Sequence, residues 1–76
     1  MKRDTAFWHA VQAVIARAAG HWGGSLEGRA LLTLSYDLER IQLLAPESSL
    51  LGPEIVAYNV IENFFFFNDW RDGAAM

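Results

Sequence analysis

Apolar positions recur along this chain at intervals of three and four residues in three separate stretches, the spacing that places them on one side of a helix. In the first stretch Phe7, Trp8, Val11, Val14, Ile15 and Ala18 fall within an arc of about 120°, taking about 100° per residue, while His9, Gln12, Ala13, Ala16 and Arg17 lie elsewhere. Asp4 is placed to cap the start of this helix and Gly20 to end it, which predicts an amphipathic helix from about Thr5 to Ala19. The run Gly20-His21-Trp22-Gly23-Gly24 then reads as a loop.

The second stretch carries two patterns at once. Leu31, Leu34, Leu38 and Ile41 make one helical stripe, and Leu32, Tyr36 and Leu43 make another about 120° away, as expected of a helix sandwiched between two neighbours. On this reading Ser25 caps a helix that runs to about Leu44 and is stopped before Pro46. Yet Leu32 to Glu39 also alternates strictly between apolar and polar residues, the strand signature. A hairpin over residues 30–44 is therefore the alternative, giving an α+β fold. Its turn would fall at Glu39-Arg40, without the Gly, Asn or Pro that tight hairpins favour, so the helix is preferred.

Pro46 to Leu51 has the makings of a single helical turn. Gly52-Pro53-Glu54 opens a third helix, with proline at its favoured first position and an acid in the first turn, running to about Arg71 with Gly73 just past its end. Residues 73–76 are expected to be a disordered tail. The fold class expected is all-α, a compact bundle of three helices, or four with the Pro46–Leu51 turn, in one domain over residues 1–76.

This last helix has more apolar surface than one bundle can use. Val56, Ala57, Val60, Ile61, Phe64, Phe65 and Phe67 occupy a broad face with Tyr58 at its edge, and that face alone can meet the first two helices. Ile55, Phe66 and Trp70 lie on the other side, among Asn59, Asn63, Glu62 and Asp69. Burying a large apolar side chain is worth roughly 1.5 to 3 kcal/mol, and aromatic residues are enriched at interface cores. Ile55, Asn59, Glu62, Phe66, Asp69 and Trp70 are thus the expected partner-binding residues, and a homodimer that fuses two bundles into one core is the expected assembly.

Composition sharpens this picture. Of 76 residues, 53% are hydrophobic and 13% aromatic, and none is cysteine, so neither disulfides nor a cysteine-bound metal can support so small a core. The only histidines, His9 and His21, stand apart and do not predict a metal site. The net charge is -3, and the basic residues Lys2, Arg3, Arg17, Arg29, Arg40 and Arg71 are scattered, which argues against nucleic acid as a partner. No stretch approaches the roughly 20 apolar residues of a membrane span, and the first helix lacks the basic polar face of a membrane-surface helix. A cytoplasmic location is expected.

Catalytic patterns are missing. Glu62 and Asp69 share a helix face near Asn59 and Asn63, an arrangement more often a wetted surface than an acid–base pair. Ser25, Ser48 and Ser49 sit in cap or turn contexts rather than in a nucleophile elbow, and the glycines match no phosphate-binding loop. The expected function is a non-enzymatic protein-binding module, with no catalytic residue, cofactor or metal. It would act as an inhibitor, antagonist or adaptor that occludes a site on a larger protein, in the manner of phage anti-defence proteins, immunity proteins or antitoxins. The alternatives are a structural subunit of a larger assembly, and a small metal-dependent or acid–base enzyme with a dimer-interface site drawn from His9, Asp37, Glu62 or Asp69.

Overall fold

The computed structural model describes residues 3–48 and 50–67. Four helices follow one another: α1 (Thr5–His21), α2 (Leu26–Ser35), α3 (Leu38–Leu44) and α4 (Pro53–Phe66). No strand occurs among the described residues, and residues 30–44 lie in two helices and the turn between them, so the hairpin alternative is set aside. The fold is all-α.

Each start uses local chemistry visible in the chain. Asp4 accepts from the Phe7 backbone N–H at 2.9 Å, and Ser25 Oγ accepts from Gly28 N–H at 3.1 Å, each satisfying one of the donors a helix leaves free at its start. Pro53 takes the first position of α4, where its missing N–H costs nothing. α1 does not stop at Ala19 as expected but continues through Gly20 to His21. The chain turns instead at Gly23, whose φ of +57° is the left-handed conformation glycine adopts without penalty.

The long second helix is in fact two. α2 ends at Ser35, and Asp37 caps α3 by accepting from Arg40 N–H at 3.1 Å, with the Arg40 guanidinium 3.8 Å from the same carboxylate. Within α2, Thr33 Oγ1 donates to the Arg29 carbonyl and Ser35 Oγ to the Leu32 carbonyl. Such back-bonding competes with the helix's own ladder and favours its ending. A fourth helix thus arises from this break rather than from Pro46–Leu51, whose described residues are not in a helix.

α1 lies at the centre of the packing, against both α2 and α4, with α3 joining α2 to α4. Phe7, Val11 and Ile15 of α1, Leu31 and Leu34 of α2, Ile41 of α3 and Val56, Val60 and Phe64 of α4 are buried together. Polar ties bind the same elements at their ends. Gln12 Nε2 donates to the Ser35 carbonyl at 3.0 Å, and Asn63 Nδ2 donates to the Leu44 carbonyl at 2.8 Å, occupying acceptors that the last turns of α2 and α3 leave open. Arg3 donates to the Ser48 carbonyl and lies over the rings of Phe7 and Trp8, 5.4 and 5.6 Å from their centroids. The opening of the chain is thereby tied to the α3–α4 connection.

Candidate protein-binding surface

α4 is apolar nearly all round, and its inner side is fully used. Val56, Ala57, Val60, Ile61 and Phe64 are buried, and Phe65 is half-buried with its ring 5.9 Å from that of Trp22. Along the outer side Ile55, Glu62 and Phe66 follow at intervals of seven and four, a line about 16 Å long at 1.5 Å per residue. Ile55 is half exposed and Phe66 is 75% exposed, with Tyr58 exposed beside them.

The expected partner-binding residues therefore divide into two sets. Ile55, Asn59, Glu62 and Phe66 share the outer side of α4; Asn59 is less exposed than the others, and its Nδ2 donates to the Ile55 carbonyl at 2.9 Å. Asp69 and Trp70 lie outside the described residues, as do Arg71, the expected end of the helix, and the tail 73–76.

Two expectations about apolar positions are corrected. Phe67, assigned to the buried face, is 62% exposed. α4 ends at Phe66, so Phe67 is its capping residue, with ψ near 7°, and no longer follows the helical periodicity. The stripe Leu32, Tyr36 and Leu43 was expected to meet a second neighbour. All three are exposed, Tyr36 at 81% and Leu43 at 83%, because the break after Ser35 gives α2 and α3 separate axes, and Ile41 alone of α3 is buried. Leu26 and Leu50 are further exposed apolar residues that periodicity did not single out.

The described residues weighed for catalysis do not converge, and Asp69 lies outside them. His9 and His21 are exposed on α1, twelve positions apart, and no group of three or more His, Cys, Asp or Glu able to hold a metal occurs among the described residues. Asp37 is engaged as the α3 cap. Around Glu62, the Asn59 and Asn63 amides are turned to backbone carbonyls and away from any shared site. No helix among the described residues is long and apolar enough to cross a membrane.

Among the described residues, several shallow depressions mark the surface. One of about 380 Å³ is lined by Asp37, Glu39, Arg40 and Leu43. A second, of about 250 Å³, lies where Gln12, Ala13 and Ala16 of α1 face Ser35 and Tyr36. A third, of about 210 Å³, runs between the C-terminal half of α1 and the middle of α4, where Tyr58 and Ile61 face Val14, Arg17, Ala18 and His21, with Trp22 at its end. No family model, curated protein or solved structure matches the chain.

Proposed function

We propose that this chain is a non-enzymatic protein-binding module that covers a site on a larger protein, as inhibitors, antagonists and adaptors do. The outer side of α4 is its contact surface, and two copies pair through the same side as a homodimer when no target is bound. Phe66 carries the reading: it is 75% exposed, one turn from Glu62 and in line with Ile55, on a helix whose opposite side already fills the core. With Ile55, Tyr58 and Phe67 it leaves on the order of 400 Å² of apolar and aromatic surface facing water, taking aromatic side chains at 150–250 Å² each. That is comparable to the largest patch found on a typical monomer, which is often functional. Asn59 and Glu62 supply the polar edge that interface cores carry around them.

Light scattering on the wild type and on Phe66→Asp at micromolar concentrations tests the pairing. A wild-type dimer that becomes monomeric on substitution is the expected result, and a wild type that stays monomeric removes the homodimer. The wider reading is tested by comparing what immobilised wild type and Ile55→Asp/Phe66→Asp retain from host extract. A specific protein held by the first and lost by the second is expected, whereas equal retention by both would move the contact surface off α4.

A further inference from the structure

The groove between α1 and α4 combines an apolar floor with unpaired positive charge. Val14 and Ala18 are half-buried and Ile61 is buried beneath it. Arg17 and His21 stand at its edge, and among the described residues no acidic one lines it, although the chain as a whole carries a charge of -3. Among the described residues Arg17 makes no ion pair or side-chain hydrogen bond, in contrast to Arg3 and Arg40, whose guanidinium groups have partners. A guanidinium held next to aromatic and aliphatic surface is only weakly hydrated and presents a planar fork of donors that matches a carboxylate.

The end of the groove is built to stay in place. Trp22 packs on Phe65 from one side. From another, Gly28 approaches so closely that an added Cβ would lie 2.9 Å from the Trp22 Cβ and 2.6 Å from the Gly23 carbonyl oxygen. These contacts anchor the base of Trp22, which is itself 44% exposed, and an anchored wall loses less freedom when something binds against it. The volume of about 210 Å³ falls below the roughly 300–1,000 Å³ of small-molecule sites. It suits one large apolar side chain rather than a cofactor.

We infer that this groove receives an acidic peptide segment of a partner protein, one apolar side chain seated between Ala18 and Ile61 and a neighbouring Asp or Glu carboxylate meeting Arg17. This goes beyond the outer-side reading and shares only Tyr58 with it. The probe is a blocked pentapeptide, acetyl-Glu-Asp-Phe-Asp-Glu-amide, titrated into the full chain while backbone amide shifts are followed by NMR. Its counterpart acetyl-Gln-Asn-Phe-Asn-Gln-amide keeps the ring and removes the charge.

Shifts centred on Arg17, Ala18, His21, Trp22 and Ile61 are expected with the acidic peptide. Binding should be about threefold weaker with the neutral one, in keeping with the modest value of exposed ion pairs. Arg17→Gln should bring the acidic peptide down to the neutral level, and Arg17→Glu should weaken it further. Ile55→Asp/Phe66→Asp should leave the titration unchanged, so the groove and the outer side of α4 stand or fall separately. Equal binding of both peptides, or no shifts at millimolar peptide, would overturn the inference. So would the same shifts arising from raised protein concentration alone, which would identify the occupant as a second copy.

Discussion

Phe64 and Phe66 are two residues apart on one helix and chemically identical, yet the first is wholly buried and the second three-quarters exposed. Two residues turn a helix by about 200°, so the pair samples both sides of α4. The inner side is a finished core, closed by Val11, Ile15, Leu31 and Ile41 from the other helices. The outer side sets Ile55, Tyr58 and Phe66 among Asn59 and Glu62, and all three apolar or aromatic side chains are exposed. Apolar character alone therefore does not separate a core residue from a binding residue. What separates them is whether the rest of the chain has another helix to lay against that side.

Substitutions should expose this contrast in graded steps. The largest effect belongs to Phe64→Ala, which should cost about 3–5 kcal/mol in denaturant unfolding because it opens a cavity in the packed interior. A loss below about 1 kcal/mol would mean that the inner side is loosely packed and the contrast false. Next comes Gly28→Ala. Alanine favours a helix by about 1 kcal/mol over glycine, but its Cβ would meet the Gly23 carbonyl at 2.6 Å, and overpacking of this kind costs typically 1–3 kcal/mol. A net loss of stability is expected, accompanied by a change in Trp22 fluorescence, and a gain would show that the close approach is not a constraint.

Asp37→Ala should remove about 1 kcal/mol by uncapping α3, with Asp37→Asn retaining most of it. The smallest change in stability is expected of Phe66→Asp, within about 0.5 kcal/mol of wild type in thermal unfolding at low protein concentration, as for surface positions in general. Its effect should appear instead in light scattering. If Phe66→Asp unfolds the dilute protein, the outer side of α4 belongs to the fold and not to a partner.

Much of the architecture was legible because caps and periodicity agree. Asp4, Ser25 and Pro53 each mark a helix start, and Val56, Val60 and Phe64 keep their spacing to the end of α4. The break between α2 and α3 was missed because the stripes through Leu31, Leu34 and Ile41 continue across it without losing phase. Its signal was nonetheless present: Asp37, with Glu39 in the first turn of α3, is a helix-start pattern of the same kind as Ser25. The exposure of Leu32, Tyr36 and Leu43 follows from that break and was not legible without it. The outer line of Ile55, Glu62 and Phe66 was readable from spacing alone. The groove at Arg17 was not, since it joins residues more than forty positions apart that share no local pattern.

The central position of α1 also has a consequence for synthesis. Its Phe7, Val11 and Ile15 belong to a core completed only by α4, the helix that leaves the ribosome after the other three. α1 and α2 are neighbours in sequence and pack directly, so they can pair early, while the surface of α1 reserved for α4 still faces solvent or a chaperone. Nascent chains stalled before residue 53 would present that greasy strip to whatever passes, and aggregation of such fragments is the hazard this order of assembly carries.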